Sequence, residues 1–269
     1  MNYIDEGEGD TFLFIHGLAT YALSWRKNID ELKKSYRCIA VDLPGNGLSD
    51  RGDYPYGISF FAASVYELIA KLNLKNIVLI GHSMGGQVAI RLALLYPELI
   101  NKLILCAPAG FETFNGFERS LYKSALQVLD FFASEDVSLA KTIRTSFYQV
   151  PSFAEQMIDE LSLLMHTSSL HTYRNMIEMC IDSMLSKPVF DELSLLRTQT
   201  LVLYGERDAL IPNRMIHPVT TRKIAEEVIK LIPHAKLIMI PQCGHFLQIE
   251  KAELVNAYLK EFVKGSFSS

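Results

Sequence analysis

Residues 76–89 read Asn76-Ile77-Val78-Leu79-Ile80-Gly81-His82-Ser83-Met84-Gly85-Gly86-Gln87-Val88-Ala89, an apolar run that meets a glycine-flanked serine. Ile77 to Ile80 form a continuous β-branched and leucine run, the pattern of a strand covered on both faces. Beyond the serine, Val88, Ala89, Leu92, Ala93 and Tyr96 recur at helical spacing. The stretch therefore reads as strand, sharp turn, helix. Gly81 and Gly85, two residues to either side of Ser83, let strand and helix approach where a Cβ would clash, so the hydroxyl stands proud of the sheet. The helix start sets orphan N–H groups, Met84's first, beside any negative charge that grows next to Ser83. A serine between glycines is often only a turn. Here the G-x-S-x-G spacing closes a buried strand and opens a helix, which is the setting a nucleophile elbow requires.

The rest of the composition bounds the setting. With 269 residues, 49% hydrophobic and 21% charged, the chain can bury a sizeable core as one large domain or a domain with an insertion, and reads as a soluble globular protein. A net charge of -4 and a pI near 6.0 give no electrostatic case for nucleic acid or anionic membranes. The first residues, Met1-Asn2-Tyr3-Ile4-Asp5-Glu6, are acidic where a secretory signal carries positive charge, and apolar stretches such as Phe12 to Ile15 fall far short of the ~20 residues that span a bilayer. Cys38, Cys106, Cys180 and Cys243 form no C-x-x-C pair and read as reduced core or loop residues. A cytoplasmic protein is the expectation.

Strand and helix alternate through the first part of the chain. Asn2 to Asp5 is a short strand, Thr11 to Ile15 a buried one ending at His16-Gly17-Leu18, and Trp25 to Leu32 is helical. Tyr36 to Val41 is a strand closing on a rigid loop, Asp42 to Gly47, in which Asp42 reads as a loop-fixing side chain rather than a catalytic acid. A helix over Phe60 to Leu72 precedes the elbow strand, and Leu103 to Ala107 makes the next strand. From about Gly110 to Phe190 the alternation stops. Leu121, Ala125, Leu129 and Phe132 share one helical face, Met157, Leu161, Leu164 and Met165 another, and a third pattern runs from Leu170 to Leu185. Alternation resumes with Thr200 to Tyr204, a helix over Thr221 to Leu231, the strand Lys236 to Ile240 and a last helix from Lys251 to Val263. The reading is an α/β protein: a mostly parallel, doubly wound sheet formed by residues 1–110 and 191–269, with residues 111–190 inserted as an all-helical cap that roofs the serine. Met157, Met165, Met176, Met179 and Met184 read either as the lining of an adaptable pocket or as plain helix core.

A serine hydroxyl needs a base within hydrogen-bond reach and a third group to orient that base. Asp208 follows the strand Leu201 to Tyr204 and His245 follows Leu237 to Ile240, so both share an edge of a parallel sheet with Ser83, in the chain order Ser, Asp, His. Glu206 is the second choice for the acid. Gly17 reads as a turn glycine or as the place where backbone approaches a ligand; Ser83 tips it to the latter, with the Leu18 N–H as second oxyanion donor beside Met84's. His16 and His82 adjoin these motifs as supports, together with Gly17, Gly81 and Gly85; His166 and His171 fall in the cap; His217 and His234 read as solvated loop residues. Cys243 reads as loop packing, since no helix start follows it.

Phe14-Ile15-His16-Gly17, Asp42-Leu43-Pro44-Gly45-Asn46-Gly47-Leu48-Ser49, Gly81 to Gly86, Gly205-Glu206-Arg207-Asp208 and Gly244-His245-Phe246 together resemble the capped, single-domain proteins of the α/β-hydrolase fold, over nearly the whole chain. There are departures. Asn46 stands where relatives often carry histidine, the first sheet hairpin is trimmed, and Asn213 to Thr221 is longer than usual and reshapes the rim near Asp208. Phe246 stands where carbon–carbon bond hydrolases of this fold usually have tryptophan, and dehalogenases and epoxide hydrolases place aspartate where this chain has Ser83. The resemblance implies a serine hydrolase that cleaves a carboxylic ester with an apolar moiety, needs no metal or organic cofactor, and takes a small molecule rather than a nucleic acid or membrane as its partner. Carbon–carbon bond hydrolysis, thioester hydrolysis and a non-catalytic ligand receptor that keeps the triad are the alternatives.

Overall fold

The computed structural model describes residues 1–132, 135–166, 170–187 and 189–265, with side chains described outside 125–139 and 164–171. Seven strands form one sheet: β1 Tyr3–Glu6, β2 Thr11–Ile15, β3 Arg37–Val41, β4 Ile77–His82, β5 Ile100–Cys106, β6 Gln199–Gly205 and β7 Ala235–Ile240, in the order β1-β3-β2-β4-β5-β6-β7. Every pairing is parallel except β1 with β3, which is antiparallel with Tyr3 opposite Val41. The single short strand ahead of Phe12 thus closes the sheet edge alone, as the trimmed hairpin implied.

Burial explains the apolar runs. β2 and β4 are buried at every position, which is why they carry no polar alternation. Helices α1 Arg26–Leu32, α2 Ile58–Lys71 and α3 Met84–Leu95 link these strands; α8 Thr221–Val228 follows β6, and α9 Leu247–Glu250 and α10 Ala252–Lys264 follow β7. α2 packs on α3, and α1 on α10. With right-handed crossovers these pairs cover opposite faces of the sheet. The chain runs outward from β2 to β3 and returns past β2 to β4, so the topological switch point lies between β2 and β4. Ligands of open α/β sheets bind at such a point, beyond the carboxyl ends of the strands.

Among the described residues four α-helices stand between β5 and β6: α4 Gly116–Phe132, α5 Glu135–Thr145, α6 Ser152–His166 and α7 Leu170–Ser186. The sequence resolves three of them as patterns; α5 is polar on average and carries no long apolar stripe. In α6, Ala154, Met157, Ile158 and Leu161 are buried, and in α7 Tyr173, Met176 and Cys180, each set at helical spacing. Leu121, expected on an inner face of α4, is instead 47% exposed. The side chains of Ala125, Leu129, Phe132, Leu164, Met165, His166 and His171 lie outside the described residues. Hydrogen bonds fasten these helices to the sheet layer: Gln87 Nε2 donates to the carbonyls of Met184 and Lys187, Tyr21 Oη to Glu160 Oε2 at 2.7 Å, and the Ile58 N–H to Ser183 Oγ at 3.0 Å. Among the described residues no helix is long and apolar enough to cross a membrane.

Candidate active site

Ser83 sits at the apex expected of the elbow, with φ 53° and ψ -119° between β4 and α3. A non-glycine residue holds that strained backbone only when its surroundings fix it. Its N–H donates to the Cys106 carbonyl at 3.0 Å, and its own carbonyl accepts from Gly86 at 2.9 Å and Ala109 at 3.0 Å. The flanking glycines are sterically required: a Cβ on Gly81 would fall on the Gly85 carbonyl, and one on Gly85 on the Ile15 and His16 carbonyl oxygens.

Asp208 and His245 come from the turns after β6 and β7 and are directly bonded. Asp208 is wholly buried; its Oδ2 accepts from His245 Nδ1 at 2.8 Å, and its Oδ1 from the N–H groups of Leu210 at 2.8 Å and Ile211 at 3.0 Å. A carboxylate that accepts at Nδ1 fixes the tautomer, so Nε2 is left as the free base. His245 and Ser83 line the same cavity of about 560 Å³, without a direct hydrogen bond between their side chains. In unliganded sites this bond is commonly long and tightens only when substrate is bound.

The candidate oxyanion donors meet at the switch point. Leu18, beyond the end of β2, also lines the cavity, and neither its N–H nor that of Met84 has a hydrogen-bond acceptor among the described residues. Gly17 is needed for this approach, because a Cβ there would stand 2.8 Å from His82 Nδ1 and 3.1 Å from Ser83 Cβ.

The two supporting histidines are buried. His16 donates from Nδ1 to the Gly17 carbonyl at 2.7 Å and accepts the Leu43 N–H at Nε2, at 3.0 Å, so it ties the Leu18 loop to the loop after β3. His82 donates from Nε2 to the His245 carbonyl at 3.0 Å, and their rings lie 4.8 Å apart. Burial holds both imidazoles below their ordinary range; for His82 the neighbouring His245 acts in the same direction. A neutral His82 places no charge against the cation that His245 would become.

The remaining expectations sort cleanly. Asp42 fixes its loop, accepting from the Ala22 N–H at 2.7 Å, Asn2 Nδ2 at 2.8 Å and the Leu48 N–H at 2.9 Å. Glu206 is paired with Arg222, and the carboxylate bonded to His245 is that of Asp208. Cys243 is buried, and burial raises its thiol far above the ordinary range, which leaves it inert. Of the described methionines, Met184 lines the cavity, Met157 and Met176 are core, and Met179 is 41% exposed. His217 departs from expectation: rather than being solvated, its Nδ1 donates to Glu112 Oε1 at 2.7 Å.

Some contributors have no signature in the chain. The Ser146 carbonyl, after α5, accepts the His245 N–H at 2.7 Å, and the Glu250 carboxylate holds the N–H groups of Tyr148, Gln149 and Gly244. Neither residue stands in a motif, so only the folded contact reveals them. Among the described residues no three histidine, cysteine, aspartate or glutamate side chains are grouped to hold a metal ion.

Comparisons with known proteins bear on the fold and the class of chemistry. A family model described as alpha/beta hydrolase fold matches residues 10–252. The chain is 27% identical to epoxide hydrolase 4 of Homo sapiens over 98% of this chain and 75% of that protein. It is also 27% identical to 2-hydroxymuconate semialdehyde hydrolase of Pseudomonas sp. (strain CF600), over 97% of this chain and 89% of that one. Among solved structures, a probable hydrolytic enzyme from Pseudomonas aeruginosa PAO1 superposes with a TM-score of 0.80 at 26% identity, covering 96% of this chain and 88% of that chain. All three are named as hydrolases or hydrolytic enzymes, which supports hydrolysis as the class of chemistry. The family match spans most of the chain, and the chain belongs to the alpha/beta hydrolase fold family.

Proposed function

We propose that this protein is a serine hydrolase that cleaves a carboxylic ester with an apolar acyl or alcohol part. Ser83 Oγ attacks the ester carbonyl while His245 Nε2 accepts its proton; Asp208, bonded to Nδ1 at 2.8 Å, holds the ring and stabilises the imidazolium. The N–H groups of Leu18 and Met84 receive the negative charge on the tetrahedral oxygen, each worth about 3 kcal/mol of transition-state stabilisation. His245 then returns its proton to the leaving alcohol. Water, activated by the same imidazole, releases the acid and regenerates Ser83.

The observation that carries this reading is His245, bonded to the buried Asp208 and lining one cavity with Ser83. Helices α4 to α7 serve as the cap in this account, and the apolar lining from Ile143, Ile177, Ile181, Met184, Leu185 and Phe246 suits a hydrocarbon part of the substrate.

Ser83 also separates ester from epoxide chemistry. A serine that opened an epoxide would be left as an alkyl ether, which water does not cleave, whereas an aspartyl ester hydrolyses. Carbon–carbon bond hydrolysis is the second reading, favoured by the likeness to 2-hydroxymuconate semialdehyde hydrolase and by the shared need for an acyl-accepting serine. Assay of p-nitrophenyl butyrate with wild type and Ser83→Ala tests the proposal. Turnover abolished by the substitution supports it; turnover that survives it refutes it.

A further inference from the structure

One polar corner of the cavity is unused by the mechanism. Glu112, beyond the end of β5, lines the cavity, and its side chain is only 8% exposed. Its Oε1 accepts from the Asn213 N–H at 3.0 Å and from His217 Nδ1 at 2.7 Å. Its Oε2 accepts no hydrogen bond from the described residues and is left to the cavity that Glu112 lines.

The surrounding charges leave this corner negative. Glu118 lies 3.9 Å from His217 Nε2, so the Glu112–His217–Glu118 group carries two negative charges with the imidazole neutral and still one with it protonated. The cavity's cations are engaged with acids of their own: Lys123 with Asp182, and Arg174 with Glu178 at 3.0 Å. Burial raises the Glu112 carboxyl above its ordinary range, and the nearby Asp208 adds to the rise. Beside Glu112 stand two aromatic cavity residues, Phe114 and Tyr122, whose rings meet edge to face with centroids 6.1 Å apart.

We propose that this corner binds an alkylammonium group of the substrate, its charge against Glu112 Oε2 and its carbons on the Phe114 and Tyr122 rings. A carboxylate with aromatic faces is the arrangement that desolvated ammonium groups select. A hydroxyl would satisfy Oε2 with one hydrogen bond and leave the negative charge uncompensated. The substrate class is then an amine-bearing ester, an assignment that rests on the ester-hydrolase reading only for the bond that is cut.

The test uses full-length Ser83→Ala protein, titrated calorimetrically with butyrylcholine and with its uncharged isostere 3,3-dimethylbutyl butyrate. The charged ester is expected to bind about tenfold more tightly or better. Adding Glu112→Gln, which keeps an oxygen for Asn213 and His217, is expected to bring the two dissociation constants within about twofold. The comparison is internal to each protein sample, so a partly folded variant does not distort it. Equal affinities in Ser83→Ala, or a preference that survives Glu112→Gln, overturn the proposal. Failure of the wild type to hydrolyse either ester counts against the ester reading instead, because the binding ratio is read on a protein that performs no chemistry.

Discussion

Ser83, Asp208 and His245 stand on turns that leave the sheet, whereas Tyr173, Ile177 and Met184 stand on α7, a helix with an exposed side at Thr172, Asn175, Met179 and Asp182. The turn residues are fixed through backbone: the N–H of Ser83 bonds to Cys106, that of Asp208 to Gly205 and that of His245 to Ser146. The helix residues offer side-chain shape to the same cavity. Backbone-fixed groups perform a reaction that tolerates little displacement, and side-chain walls set which molecule reaches it. Under the proposed mechanism, the first region would fix how a bond is cut and the second which bond is presented.

The contrast is sharpest for the acid. Asp208→Asn keeps a similar shape but lets its amide present N–H to His245 Nδ1, favouring the wrong tautomer, and kcat/KM for a simple ester is expected to fall about 10⁴-fold. A loss of less than about tenfold would break the assignment of Asp208.

Next in size is a stability effect confined to the strand-end region. His16 and His82 are held below the ordinary imidazole value of 6.5, so the unfolded chain takes up protons below that pH while the folded chain does not. Stability is then full above about pH 6.5 and lost progressively as pH falls beneath it. Glu6, drawn down to about 2 chiefly by its hydrogen bond to Arg26, acts only in a more acidic window. Urea unfolding is expected to give a lower stability at about pH 5.5 than at about pH 7.5. A flat profile would mean that these rings are not buried as neutral groups.

Smaller again is the effect of reshaping the wall. Met184→Ala widens the cavity without touching the triad, so the preferred acyl chain is expected to lengthen while kcat/KM for a short ester changes by less than about tenfold. A loss as large as that of Asp208→Asn would erase the distinction between the regions. Smallest is Glu206→Gln, which breaks a surface pair with Arg222 and is expected to change activity less than about twofold.

The strand ends were legible because their constraints are local. Ile77 to Ile80 must be apolar to lie inside the sheet, and Gly81 and Gly85 must lack a Cβ to let strand and helix pass, so five residues betray the turn. Asp208 and His245 followed from the rule that parallel strands end on one edge. The wall was not legible in that way. Met157, Met176, Met179 and Met184 share a residue type yet end as core, core, surface and lining, because helix packing sets their fate. Glu112 and His217 lie 105 residues apart, and nothing in either neighbourhood announces their hydrogen bond. Ser146 contributes only a carbonyl, a group every residue has.

The most direct test of the account is the site of covalent capture. Wild-type protein is treated with a fluorophosphonate, digested, and the adduct located by tandem mass spectrometry. The expected result is a single phosphonylated peptide modified on Ser83, absent from Asp208→Asn and His245→Ala at matched short exposure. An adduct on another residue, or labelling of equal rate in those variants, would contradict Ser83 as the nucleophile activated by His245.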